Sequence, residues 1–430
     1  MMWSSRYEVA GHRVHDGSKP SQETGGFQGI HRHMIRIGQV AICISRSSRH
    51  QCGYQCQKCG RRGTIIKSST HESRRWEDLR LGAWVLFLHY TPREICCATH
   101  GRGQEVIHWA EPKSHVTYRH EYQMLRLSQQ MTQKQVAQLL DVPPSTLSGR
   151  LHRAIERYRE GHEIKNLHYI GIDEVSYCKG HKYLTVVYDL ERSVVVWIGT
   201  GKARKTIDQF FGEVLEEWQL DEIKGACCDM SNTFIGAIED FCPNAVLVLD
   251  RFHIMKSLNE AVDEVRKEQW RNADKEERKA LKGMRWLLFK HGANRSKRDT
   301  RLLNELQKGN RRIYRAWVLK DEFNQFWEYT YEQSAQTFLK NWTRTAILSR
   351  LEPLRKFVAT LRRNQHRIIT FIKCPLTNAV AEGLNRMIRQ IRNRASGYRN
   401  VDCFKDIIYL TLGDLDLPGE IPCEQQLEWM

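Results

Sequence analysis

The apolar and polar positions change period several times along the 430 residues. Residues 1–38 are rich in Gly, Ser, His and Arg and hold no sustained apolar period, which predicts a disordered leader. Gln39–Ile44 reads as a short strand opening an N-terminal domain over residues 39–112. At Thr132 the period becomes helical. Thr132 and Gln135 have the spacing of a capping box, and Val136, Leu139 and Leu140 make the expected buried stripe. Asp141-Val-Pro-Pro144 turns the chain into a second helix, since proline suits a helix's first positions. In that helix Leu147, Leu151, Ala154 and Ile155 point inward, leaving Ser145, Thr146, Ser148, Arg150 and Arg153 outward. Residues 115–162 thus predict a helix-turn-helix, whose second helix fits the DNA major groove.

From His168 the reading turns to strands. Tyr169, Ile170 and Ile172 lead into adjacent carboxylates, Asp173 and Glu174, of which only one can face a given site. Lys179–Leu190 is a hairpin partner, Ser193–Gly199 a third strand and Thr206–Trp218 a helix. Asp221–Asp229 reads as a strand ending in an aspartate, and Phe234–Phe241 as a short helix. Asn244–Asp250 is apolar throughout, which predicts a central strand, and it ends in Asp250-Arg-Phe-His253. Three antiparallel strands led by an aspartate, then a helix and two further strands, predict an α/β, RNase H-like core. Its first part covers 163–255, an all-α insertion 256–371, and its final helix 372–415, with a tail at 416–430. Pro375 breaks the chain and Asn378 can cap that last helix. Leu384, Met387, Ile388 and Ile391 fall on one side of it, with Glu382, Asn385, Arg386, Arg389 and Asn393 on the other.

Charge narrows the partner. With 67 Lys+Arg against 50 Asp+Glu the net charge is +17, which favours a polyanion. No apolar stretch approaches the roughly 20 residues that span a bilayer, so no membrane role is expected. The N-terminus lacks the apolar core of a signal peptide. Thirteen cysteines, an odd number, argue against a disulfide framework and for metal ligation in a reducing compartment. Cys56-Gln-Lys-Cys59-Gly60 and Cys97-Ala-Thr-His100-Gly101 form two half-sites whose spacing suits one tetrahedral Zn²⁺ of structural role. The gap between them exceeds ordinary finger spacing, and Cys52 and Cys96 are alternative ligands.

Taken together, the chain resembles DDE transposases of the ISL-three group of bacterial insertion sequences, over roughly residues 50–412. The resemblance rests on the Cys/His half-sites, Trp109-Ala110, the helix-turn-helix, Ile172-Asp173-Glu174 with Lys179-Gly180-His181, and Asp229-Met230. It continues through Asp250-Arg-Phe-His253, Leu258-Asn259-Glu260-Ala261 and Glu382-Gly-Leu-Asn385. Where the family usually has Trp after Asp-Met, and Tyr shortly afterwards, this chain has Ser231 and Phe234. Ala379 stands where a glycine usually follows Ser-Asn. The resemblance implies Asp173, Asp229 and Glu382 as catalytic carboxylates holding Mg²⁺ (or Mn²⁺). It also implies double-stranded DNA as partner, as terminal inverted repeats and target, bound by a homo-oligomer in the bacterial cytoplasm at the nucleoid.

Three acidic groups on different elements suffice for such chemistry, because Mg²⁺ keeps few protein ligands and phosphate supplies others. In the RNase H-like order the first strand lies beside the fourth, placing Asp173 and Asp229 on neighbours about 4.8 Å apart. Asp250, one strand further, supports the site from behind, and Glu174 faces away. His253 either orients a ligand, contacts phosphate or is structural. Arg386 and Arg389 flank Glu382 as DNA contacts. Three functions remain open: a transposase, a catalytically silent site-specific DNA-binding descendant, and a nuclease that cuts without joining.

Overall fold

The computed structural model describes residues 30–37, 40–47, 54–66, 74–80 and 85–417. The chain divides at His120/Glu121 into two compact units. The N-terminal unit carries β1 (Ile30–Ile37), β2 (Val40–Ser47), β3 (Thr64–Ile65), β4 (Arg74–Glu77), β5 (Leu86–Tyr90), β6 (Glu94–Cys97) and β7 (Gly101–Gln104). One sheet has the order β2-β1-β5-β4 and the other β3-β6-β7. β1 falls within the stretch expected as a leader; its isoleucines carry strand propensity that the polar composition obscures. Residues 1–29 of that expected leader lie outside the described residues. Trp76 is buried, and both Trp76 and Tyr90 meet Trp109 edge-on, with centroids 6.1 and 5.2 Å away. Asp78 is fully buried and its charge is compensated by Arg119 and by the Thr117 hydroxyl, which donates at 2.6 Å.

Three helices follow, α1 (Tyr118–Gln130), whose first turn begins before the division, then α2 (Gln133–Leu139) and α3 (Pro144–Glu160). The Thr132 hydroxyl accepts from Gln135 N–H at 3.2 Å while Gln135 Oε1 accepts from Thr132 N–H at 3.0 Å, completing the capping box. The buried stripe of α2 is Val136, Ala137 and Leu140, whereas Leu139 is 52% exposed. With two turns to bury, the face centred on Val136 and Leu140 takes Ala137 on its flank and leaves Leu139 outside. Asp141 adopts a left-handed backbone between α2 and α3, which Asp tolerates better than most residues.

β8 (Tyr169–Cys178), β9 (Lys182–Asp189), β10 (Val194–Thr200), β11 (Gly225–Cys228) and β12 (Val246–Leu249) form one sheet ordered β10-β9-β8-β11-β12. β8, β9 and β10 are antiparallel, and β11 is parallel to both β8 and β12, so the sheet's first strand lies beside its fourth. Alternation sorts the two faces. Ile170, Ile172, Val187 and Trp197 belong to one core, and Val175, Leu184, Val186 and Tyr188 to the other. β12 is an edge strand rather than a central one; a helix at Gln365–Lys373 packs on it, so its apolarity reports coverage by helices. The expected Thr206–Trp218 helix is broken: Arg204–Gln209 leads into a wide turn at Phe210–Val214, and Glu216 caps a new helix, Glu217–Glu222. The Glu216–Gln219 capping box makes that new start locally favourable.

Every element from Arg251 to Lys373 is helical, beginning with α4 (Arg251–Asn272) and ending with α5 (Gln365–Lys373). These helices share a continuous core with the Ile170/Ile172 face of the sheet. Phe323 anchors an aromatic cluster there with Phe326, Trp327, Trp342 and Phe357. Lys320 is buried beside it and donates to the Leu288 carbonyl at 2.9 Å; burial lowers its ammonium to about 8. The opposite face is closed by α6 (Ala379–Arg394) and α7 (Val401–Leu412), which share their core with α2 and α3.

Candidate functional site

Two sites take shape, one in each unit. In the N-terminal unit, each cysteine half-site ends in a glycine with left-handed backbone, Gly60 and Gly101, both at φ 68°. That conformation lets the chain turn back under its own sulfur atoms, and glycine adopts it without a Cβ clash. β6 and β7 pair through Cys97 and Gly101, while Cys56 bridges to Glu105, and this closes the long sequence gap through tertiary structure. Cys59 Sγ lies 3.7 Å from Cys97 Sγ, and His100 Nδ1 lies 3.9 Å from Cys56 Sγ and 4.0 Å from Cys97 Sγ. All four ligand atoms fall within 4.8 Å of one another. A tetrahedral shell with Zn–S of about 2.3 Å needs edges of about 3.5–3.8 Å, so the donor set fits with small adjustment. Backbone N–H groups of His100 and Thr99 donate to the Cys97 sulfur and lower its thiol to about 6. Cys96, the neighbour on β6, is exposed and outside the cluster; Cys52 lies outside the described residues.

In the second unit the carboxylates gather at one end of the sheet. The register pairs Ile172 with Cys228 and Cys228 with Leu249. Asp173, Asp229 and Asp250 therefore stand in one row, each a single residue past that pairing, on strands about 4.8 Å apart. α6 runs over this row. Its first turn brings Glu382 near Asp250, whose carboxyl is raised by burial and further by Glu382. The N–H groups of Phe252 and Asn378 and the imidazole of His253 oppose that rise. His253 Nε2 is 3.7 Å from Asp250 Oδ2. Asp173 is likewise raised by burial and by Asp229 and Asp250, against the Glu174 N–H and His253. Asp229 Oδ1 accepts from the backbone N–H of Ser231 at 2.9 Å, a contact that does not depend on the side chain at 231. Glu174 follows Ile170 and Ile172 in alternation, toward the face opposite Asp173.

Two helix faces differ from expectation. On α6, Asn385 is 1% exposed and Met387 43% exposed, the reverse of their assignment to the polar and apolar sides. Asn385 turns inward because it has polar partners there: it donates to Asp173 Oδ2 at 2.7 Å and accepts from the Tyr188 hydroxyl. Glu382, Arg386, Arg389 and Asn393 are exposed as expected. On α3, Ser145, Thr146 and Arg153 are exposed, whereas Ser148 and Arg150 are half-buried. Ser148 Oγ lies 2.9 Å from Cys403 Sγ and His152 Nδ1 lies 3.0 Å from Asp406 Oδ2, so this side of α3 faces α7. Residues missed as site components are Tyr188, Asn378 and Asn385. The signal for Asn385 was its position one helical turn after Glu382.

Comparison with known proteins gives the family. Residues 170–408 match the DDE-type ISL3 family model described as a transposase, and residues 105–155 match the helix-turn-helix domain of transposase family ISL3. The transposase for insertion sequence element IS1001 of Bordetella parapertussis is 30% identical over 356 residues, 81% of this chain and 86% of the relative. The transposase for insertion sequence element IS1557 of Mycobacterium tuberculosis is 25% identical over 382 residues, 83% of this chain and 85% of the relative. With a matched region that spans the five-stranded sheet, its helices and the carboxylate row, the chain belongs to the ISL3 family of transposases.

Proposed function

We propose that this chain binds the terminal inverted repeats of its insertion sequence and carries out metal-dependent cleavage and strand transfer on an RNase H-like core. The observation that carries the reading is the row of Asp173 and Asp229 on adjacent parallel strands beneath the helix bearing Glu382. The sheet order, with its first strand beside its fourth, supports the core assignment. Asp173, Asp229 and Glu382 would hold Mg²⁺ or Mn²⁺, with Asp250 and His253 supporting the row from the neighbouring strand. Carboxylates of this kind suit a hard cation. When bound, the metal supplies Lewis-acid polarisation of the scissile phosphate and a more acidic attacking hydroxyl.

Hydrolysis breaks one phosphodiester P–O bond and forms another to water, leaving a DNA 3′-hydroxyl. Strand transfer repeats the exchange with that hydroxyl as nucleophile and a target 3′-oxygen as leaving group, so no external energy source is needed. Arg386 and Arg389 lie exposed on the Glu382 face of α6, where they can bind the phosphate backbone. Ser145, Thr146 and Arg153 offer α3's exposed side chains for base reading, with Ser148 and Arg150 partly withdrawn. The Cys56/Cys59/Cys97/His100 cluster would hold a structural Zn²⁺, because four protein donors leave no open position for chemistry.

The test uses a duplex carrying the element's terminal repeat with a marked 3′ end, incubated with Mg²⁺ and target DNA. Marked strand joined to target is the expected result, lost in Asp173→Asn, Asp229→Asn and Glu382→Gln while repeat binding persists. Cleavage without joining would leave a nuclease. Binding with neither reaction would leave a silent DNA-binding protein.

A further inference from the structure

We propose that Asn385 is a positioning residue for Asp173, itself held in one orientation by Tyr188. The inference rests on the carboxylate reading above and concerns how that site is kept in register. Asn385 lies in α6 one turn after Glu382 and is almost wholly buried. Its Nδ2 donates to Asp173 Oδ2 at 2.7 Å, and its Oδ1 accepts from the Tyr188 hydroxyl on β9.

The direction of each bond follows from chemistry. A carboxylate that holds a cation only accepts, so the amide must turn its NH₂ toward Asp173. Its oxygen then faces Tyr188, which must donate. The Glu174 N–H holds the other carboxylate oxygen, Asp173 Oδ1, at 2.7 Å. Both oxygens of Asp173 are thus gripped by donors from different elements, which fixes the carboxylate plane and leaves further lone pairs for a cation. The same amide ties α6 to β8, so it also sets where Glu382 stands relative to Asp173.

The surroundings make this chain of bonds informative. Asn385 sits between Leu384 and Ile388 on a helix face whose other buried members are Ala381 and Ile391. Tyr188 is fully buried. An apolar residue would fill the position with no polar group to satisfy, whereas a buried amide is tolerated only with its partners in place. A hydrogen-bonded neighbour that orients a metal-binding carboxylate typically changes metal affinity or activity about 10–100-fold when removed.

The test compares Asn385→Leu, Tyr188→Phe and Asp173→Asn as full chains on a terminal-repeat duplex with a blocked 3′ end. Mn²⁺ binding is counted from the electron paramagnetic resonance of the free ion, and Mg²⁺ titrations of cleavage are run on unblocked duplex. Asn385→Leu is expected to raise the Mn²⁺ dissociation constant and the half-saturating Mg²⁺ concentration by about 10–100-fold. Tyr188→Phe, which removes one hydroxyl, should move both in the same direction by less. A merely structural role would lower the folded fraction and the amplitude of cleavage but leave the metal dependence unmoved. Unchanged metal dependence in Asn385→Leu overturns the proposal, and should that variant fail to fold, unchanged dependence in Tyr188→Phe does so. If Asp173→Asn itself keeps Mn²⁺ binding and cleavage, the carboxylate reading falls. If Asp173→Asn loses both while Asn385→Leu matches the parent, the positioning role alone falls.

Discussion

At Gly171, near the start of β8, a single hydrogen decides how closely α6 can approach. A Cβ there would lie 2.5 Å from Asn378 Oδ1 and 2.8 Å from Leu190 Cδ2. Asn378 is buried at the start of α6, so room is made by turning its amide within that packed site or by shifting the helix that carries Glu382 and Asn385. Gly171→Ala is therefore expected to cost about 1–3 kcal/mol of stability by overpacking and to reduce cleavage further than that loss explains. Parallel melting and cleavage measurements check this, and a variant with parent activity would show that the helix tolerates the shift. Asp250 allows a charge test in the same row. Burial raises its carboxyl, so the folded chain binds that proton more tightly than the unfolded one. Metal-free stability should accordingly rise as pH falls through the raised value, and above it the buried carboxyl is a burden. Asp250 also caps α4 through Phe252 N–H at 3.2 Å, a bond that asparagine can keep. Asp250→Asn should thus melt higher than the parent at neutral pH without metal, with the gap closing on acidification. A lower melting temperature at neutral pH would contradict the sign.

At the scale of elements, the readable parts were those where one physical cause dominates. The Thr132 capping box depends on neighbouring residues alone, and it stands as the spacing predicts. Thr132→Ala should remove about 1 kcal/mol from the second unit and weaken repeat binding in proportion to the frayed α2, measurable by denaturation and duplex titration. The strand runs that lead into Asp173, Asp229 and Asp250 are also legible, because alternation and apolar runs report burial directly. Position in the sheet was less so. β12 is as apolar as a central strand, yet it lies at the edge under α5, since a strand's composition records what covers it and not which neighbour supplies the cover. α1 left no clear signal, for its charged and polar residues outnumber the buried Met124 and Leu125. Polarity alone points Asn385 outward; its burial depends on Tyr188 and Asp173, which are remote in sequence. The Cys/His half-sites show the opposite case. Their two local turns are plain in the spacing, and the Cys56–Glu105 bridge with the β3–β6 pairing supplies the closure that spacing could not.

For the molecule as a whole, the net charge of +17 suits the proposed DNA partner, and the charge has a direction on α6. Glu382, Arg386, Arg389 and Asn393 are all exposed and recur at helical spacing, so they form a stripe about 16 Å long leading away from the carboxylate row. Neither Arg386 nor Arg389 has an ion-pair partner among the described residues, which leaves both guanidinium groups for phosphates. Each phosphate neutralised releases condensed counterions, so the logarithm of the binding constant falls with the logarithm of salt by about 0.9 per contact. Arg389→Ala should weaken repeat and scrambled duplexes alike and flatten that salt slope by about one, with Arg386→Ala behaving similarly. Arg153→Ala, on the exposed side of α3, should instead weaken the repeat more than the scrambled duplex if it reads a base, by about 1–3 kcal/mol. Measuring both duplexes across a salt series separates the two contributions. An unchanged salt slope in Arg386→Ala and Arg389→Ala would place the DNA track elsewhere and detach α6 from substrate binding, leaving it only its carboxylate.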